Sequence, residues 1–286
     1  MFETILIPYD GSQSSMQALD SAIATAKRTG ATVHVVYVVD LDDIPGSHDE
    51  LLADHGDELT VEGTGQDILS DAVERVAAAD VVVEDSLLRG DTATALLEHV
   101  DTIDGDLIVL GHHETRRLHH FLHRSVAEQV VRASTVPVLT VPESSDNADS
   151  AWQSILLATD GRSGSQRATD IAFEFAETYG VTVRGVYVLA SRFARSTPFR
   201  EVLEHEARKT ERELGTRAAR SGIDFVWEQR EGKPAKEILA AVDDYRADLV
   251  VMGTRGQTGL DRLFMGSVAR TVLRTSSIPV LTIRTT

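Results

Sequence analysis

The sequence predicts two consecutive α/β domains, each an open parallel sheet of five strands with helices on both faces. Three observations carry this reading. The chain repeats itself, strand-like and helix-like segments alternate within each repeat, and its 286 residues are close to twice the common domain length of roughly 100–150 residues. TILIPYD (4–10) is echoed by SILLATD (154–160), and ATVHVVYVVD (31–40) by VTVRGVYVLA (181–190), both 150 residues on. LIVLG (107–111) returns as LVVMG (249–253), Ser125 as Ser267, and VPVLTV (136–141) as IPVLTI (278–283), all 142 residues on. The change of spacing places extra chain in the first repeat, at the acidic stretch 41–59. Domains over 1–142 and 151–286 follow, joined by a polar linker at 143–150.

The elements follow in order. Short runs rich in Val, Ile and Leu, apolar on both faces, read as buried parallel strands. In repeat one they are 4–9, 32–39, 80–84, 107–111 and 137–141; in repeat two, 154–159, 181–188, 223–228, 248–252 and 279–283. Residues 14–30 place Met16, Leu19, Ile23 and Ala26 on one helical face and end at Gly30, a C-cap residue. Residues 165–180 repeat that pattern and end at Gly180. Residues 234–248 begin with Pro234, suited to a first helical turn, and set apolar residues at 238, 239 and 242. RKTERELGTRAAR (208–220) alternates its charges and reads as an exposed helix face. Trp152 and Trp227 read as packing residues at strand starts or edges.

Composition excludes several function classes. There is no cysteine, hence no disulfide, thiolate metal site, iron–sulfur cluster or cysteine nucleophile. No apolar run approaches the roughly 20 residues of a membrane span, and the N-terminus does not resemble a secretory signal, so a cytoplasmic location is expected. The net charge is −17, divided as −20 over residues 1–150 and +3 over 151–286. Only four of the 28 basic residues are lysine. Abundant acid with little lysine predicts a protein kept soluble in concentrated salt, where self-repulsion is screened. Nucleic-acid binding needs a basic surface and is not expected.

One segment carries chemistry. GTRGQTGLDRLFMGSVAR (253–270) follows the fourth strand of repeat two with the spacing Gly253-x2-Gly256-x9-Gly266-Ser267. A loop leaving the C-terminal end of a strand and entering a helix presents free N–H groups to an anion. Ser267 adds a hydroxyl at that helix start, and Asp160 closes the first strand on the same rim, where a carboxylate can accept hydrogen bonds from ribose. The spacing is neither a P-loop nor a dinucleotide fingerprint. Taken alone, G-x2-G serves equally well to shape a long loop.

With LLATDGRSGS, the VYV run of the second strand, the glycine motif and the closing PVLTI, the second repeat resembles the universal stress protein family. ILIPYDGSQSS, VVYVVD and PVLTV carry the same resemblance in the first repeat. The resemblance implies tandem Rossmann-like domains and, for the second, an ATP site with or without Mg²⁺. It implies as nucleotide-binding residues Asp160, Val188, Met252, Gly253, Gly256, Gly266, Ser267 and Val268. Ala158 stands where many members, and Pro8 in the first repeat, have proline. The family also dimerises through its last strand. That implies an intramolecular pseudo-dimer through Val138–Val141 and Val280–Ile283, and is compatible with a homodimer of chains.

The first repeat departs from the motif. Gly111 and Ser125 are kept, but Glu114 and Arg124 replace the second and third glycines. A carboxylate beside a phosphate is repelled by about 4 kcal/mol at 4 Å in a medium of effective dielectric 20. This site, with Asp10 and Val38 retained, is expected to bind ATP weakly or not at all. Its loop holds His112, His113, His119, His120 and His123, which read as a solvated loop with no defined metal spacing. The chemistry favours binding over catalysis, since no general base stands out near Ser267. The alternatives are a slow ATPase or self-phosphorylating protein, with Ser267 or Thr254 as acceptor, and an interaction module independent of nucleotide.

Overall fold

The computed structural model describes residues 1–40, 55–112, 125–143, 152–191, 197–254 and 265–284. The chain divides into two compact units at residues 143 and 144. In the first, the order is β1 (Thr4–Pro8), α1 (Gln13–Thr29), β2 (Thr32–Val39), α2 (His55–Ala77), β3 (Val83–Arg89), α3 (Thr92–Thr102), β4 (Leu107–His112), α4 (Val126–Ala133) and β5 (Val138–Pro142). The second runs β6 (Ser154–Ala158), α5 (Ser163–Tyr179), β7 (Thr182–Ala190), α6 (Thr197–Ser221), β8 (Phe225–Gly232), α7 (Pro234–Tyr245), β9 (Leu249–Gly253), α8 (Ser267–Thr275) and β10 (Val280–Ile283).

Within each unit the strands are parallel, ordered β3-β2-β1-β4-β5 in the first and β8-β7-β6-β9-β10 in the second. The order reverses beside the first strand of each unit, which opens a crevice at the carboxyl ends of β1/β4 and of β6/β9. The central strands are apolar through their middles because both sheet faces are covered. Ile5, Leu6 and Ile7 of β1, and Ile155, Leu156 and Leu157 of β6, are fully buried. Helices cover both faces, with α1 tied to α2 through Asp20 and Arg75 and α5 to α6 through Asp170 and Arg217.

The expected helix ends hold. Gly30 and Gly180 take the left-handed conformation, and each donates its N–H to the carbonyl four residues back. Residues 208–220 lie in α6, whose exposed face carries the Arg208–Glu204 and Lys209–Glu213 pairs. Trp152 packs edge-on to Phe175, and Trp227 on β8 packs against Tyr187.

The third strand of each repeat differs from expectation. The apolar runs 80–84 and 223–228 predict strands buried on both faces, whereas the strands occupy Val83–Arg89 and Phe225–Gly232. Both stand at one end of their unit's strand order and hold only half-buried and exposed residues. A strand so placed continues through polar residues, so an apolar run marks only its beginning. In the first repeat Val82 precedes the strand and is 67% exposed.

Candidate functional site

The crevice of the second unit is built by register. Ala158, the last residue of β6, pairs with Val186 on β7 and Met252 on β9. Asp160, just past β6, therefore stands at one rim with Val188 near the end of β7 and Gly253 at the end of β9. The start of α8 is drawn to the same rim, because Gly266 donates its N–H to the Thr254 carbonyl at 2.8 Å. Thr254, itself buried, donates to Ile283 at 2.9 Å and so ties the loop's first residue to the neighbouring strand.

Thr-Asp-Gly at 159–161 forces the turn after β6. The Asp160 carboxylate accepts the Arg162 N–H at 3.2 Å, the Asx turn typical of aspartate. Gly161 takes φ +71°, and the Thr159 hydroxyl accepts its N–H at 3.1 Å. Tyr187 is buried beneath this turn. Burial, then the negative charge of Asp160, pushes its hydroxyl above the usual phenol range. Val188, next on β7, is half-buried.

At the far side of the crevice, α8 starts at Ser267 with Gly266 as its N-cap, which makes no side-chain cap bond. Among the described residues no capping side chain bonds the N–H groups of its first turn, the groups a helix start offers to water or a ligand. Ser267 is exposed and Val268 half-buried, whereas Ala158 and Met252 are buried below the rim. The N-cap of α5, Arg162, likewise makes no side-chain cap bond. The Nε of Arg270, in the first turn of α8, is buried with no hydrogen-bond partner among the described residues. Arg162 and Arg270 are not part of the glycine motif, and their only signal in the sequence is that they stand where the first repeat has Ser12 and Glu128.

The first unit has the same rim with different chemistry. Ser12 caps α1 by accepting the Ser15 N–H, and Ser125 caps α4 by accepting the Glu128 N–H at 3.2 Å. Tyr9 replaces Thr159; it is buried with its hydroxyl directed at Asp71 Oδ2, 3.4 Å away. Desolvation raises the Asp10 carboxyl, but hydrogen bonds from Ser12 and Ser15 outweigh it and hold the group below the usual range. Gly111 has a packing reason of its own, for a Cβ there would overlap the backbone of Ser14. Val38 is half-buried on β2. Gly256, Glu114, Arg124 and the loop histidines 113, 119, 120 and 123 lie outside the described residues.

The universal stress protein family model matches residues 1–142 and again 151–284. The chain belongs to the universal stress protein family. Its relatives include a universal stress protein of Methanocaldococcus jannaschii, 31% identical over 145 residues, which covers 48% of this chain and 85% of the relative. One from Mycobacterium tuberculosis is 27% identical over 242 residues, 78% of each chain. Among solved structures, a universal stress protein from Archaeoglobus fulgidus superposes with a TM-score of 0.77 over 98% of both chains at 22% identity, a likeness of fold. The chain is thus a tandem universal stress protein, of a family of stress-response proteins, with no helix long and apolar enough to cross a membrane among its described residues.

Proposed function

We propose that this universal stress protein binds ATP, with or without Mg²⁺, in its second domain and regulates by changing its interactions with the nucleotide state. The observation that carries the reading is the pairing of Asp160 with a helix start capped by Gly266 on one rim. The carboxylate suits ribose hydroxyls, and the open first turn of α8, with Ser267, suits phosphates. Gly253 and Gly256 let the backbone approach the ligand, Val188 and Val268 flank it, and Ala158 and Met252 floor the crevice. The first domain, with serine caps at both helix starts, serves as the degenerate partner. Part of the same reading is that Val138–Val141 and Val280–Ile283 pair as an intramolecular pseudo-dimer, tested by co-elution of residues 1–142 and 151–286 produced separately.

Titration calorimetry of ATP with Mg²⁺ into the intact chain and into Gly266→Arg tests the site, since the variant copies the residue at the equivalent place in the first domain. One site per chain, lost in the variant, is expected. Two sites would show that Glu114 and Arg124 are tolerated. The absence of binding would refute the ATP reading in favour of a nucleotide-independent interaction module. Phosphate release above background would turn the reading to a slow ATPase.

A further inference from the structure

On the sheet of the first domain, beneath α3, two histidines meet. His34 on β2 is 5% exposed, and its Nε2 lies 3.1 Å from Nε2 of His99, a half-buried residue of α3. Ser86 Oγ on β3 shares the same His34 nitrogen at 3.0 Å. Two imidazole nitrogens at this distance make one hydrogen bond, in which one ring donates and the other accepts. A neutral pair makes it, and so does a pair that carries one extra proton. With both rings charged, each Nε2 bears a hydrogen, no acceptor remains, and two positive charges face each other. The Ser86 hydroxyl can accept from His34 but does not relieve that repulsion. The other groups around the pair are few. On β3, the largely exposed Glu84 carboxylate lies 3.4 Å from His34 Nδ1 without a hydrogen bond to it, and Asp85 follows in sequence. β1 sets the apolar Leu6 in register with His34. Among the described residues, α1, α2 and α4 set no charged group against either ring. Burial is the largest influence and makes both rings harder to charge than a free imidazole. Glu84 and Asp85 partly counter it at His34, whereas at His99 the nearby His34 adds to it.

We propose that the His34–His99 contact is an acid-sensitive latch: protonation of both rings from solvent sets two N–H donors face to face and frees α3 from the sheet of the first domain. The closed pair takes up protons less readily than the open rings do. The latch is therefore shut above about pH 6.5, the ordinary histidine value, and weakens as the pH falls below it. α3 also packs against α4, whose N-cap Ser125 stands at the rim of the first domain, so release of α3 loosens that rim. The latch belongs to the first domain alone. The second domain has Arg184 for His34, Glu228 for Ser86 and Ala241 for His99. Its α7 is instead tied to the sheet by charge: Arg230 on β8 donates to Asp244 at 2.7 Å, Tyr245 donates to Glu228, and the Arg184 guanidinium lies 4.7 Å from the centre of the Tyr245 ring. No histidine takes part among the described residues, and histidine is the side chain whose ordinary pKa falls between about pH 5 and 8.

Amide hydrogen exchange of the intact chain, read by mass spectrometry and corrected for the intrinsic effect of pH, tests the latch. The two conditions are about pH 7.5 and about pH 5.5, both above the ordinary carboxylate range. Protection of the α3 amides should fall about tenfold for each ring that charges on opening, while α7 and α1 keep theirs. In His99→Gln one titrating ring remains and glutamine keeps a donor and an acceptor, so only part of the response should survive. A second measurement needs no variant: in the intact chain labelled with ¹⁵N, the ring nitrogens of His34 and His99 should titrate together, below the pH at which a free imidazole does. Protection of α3 that does not change with pH, an equal loss in α7, a response undiminished in His99→Gln, or rings that titrate like free imidazole would each overturn the proposal.

Discussion

Replacing Gly161 with alanine should destabilise the second domain well beyond what its backbone angle alone demands. At φ +71° an alanine pays the left-handed penalty of about 1–2 kcal/mol, partly offset because alanine restricts the unfolded chain. Gly180 offers the control: its φ is +67° and an added Cβ would meet nothing within 4 Å. Gly180→Ala should therefore cost roughly 1 kcal/mol. At Gly161 the new methyl would overlap Oγ1 of Thr210, which is held by a hydrogen bond to the Glu206 carbonyl at 2.9 Å. Overpacking adds about 1–3 kcal/mol, for a total of roughly 2–4 kcal/mol. Thr210→Ala removes the obstructing oxygen, so the double variant should recover about 1–3 kcal/mol of coupling. Both tryptophans, Trp152 and Trp227, lie in the second domain, so urea unfolding followed by their fluorescence reports on that domain alone. With a slope of roughly 2 kcal/mol per molar, the midpoint should fall by about 1–2 M in Gly161→Ala. Equal losses at Gly161 and Gly180, or no coupling to Thr210, would refute the packing argument.

Three further predictions concern charge. Asp10 has its pKa lowered in the folded state: desolvation opposes this, but the Ser12 and Ser15 hydrogen bonds prevail. It thus contributes stability that is present above its unfolded pKa of about 4 and lost as the pH falls through the lower folded value. Asp10→Asn should shrink the acid dependence of the first domain's unfolding, followed by circular dichroism. Asp248 accepts the N–H groups of Gln153 and Ser154 at 2.8 and 2.9 Å, so Asp248→Ala should cost about 1–3 kcal/mol in the fluorescence-monitored urea transition. Raising KCl from about 0.1 M to about 1 M shortens the screening length from roughly 10 Å to roughly 3 Å. Calorimetric unfolding should then shift upward more for the first domain, with its charge of −20, than for the second at +3.

Much of the fold was legible because strand and helix each impose a period on buried side chains. The buried middles of β1 and β6 stand out as unbroken apolar runs, and Gly30 and Gly180 mark helix ends through the left-handed conformation glycine takes cheaply. The third strands were misplaced because a strand at the end of the order buries too few residues to write a pattern. Helices α2 and α3 do not stand out in the sequence, and α2 carries Gly63 and Gly65, poor helix formers, within its span. Of the proposed site, the spacing of Gly253, Gly266 and Ser267 and the place of Asp160 after the first strand are legible in the sequence, because they depend on residue order alone.

By itself, the sequence determined that there are two repeats, that each alternates strand and helix, that one keeps the glycine motif, and that acid is concentrated in the first. These are properties of residue order, which local sterics and hydrophobic period translate directly. Only the tertiary structure decided that Gly266 caps α8 without a side chain while Ser125 caps α4 with one, that Thr210 lies over Gly161, and that His34 and His99 converge. Those facts join residues 49 and 65 positions apart in the latter two cases, and no local pattern records them. They arise when parallel register and the packing of helices onto the sheet bring distant side chains to one place.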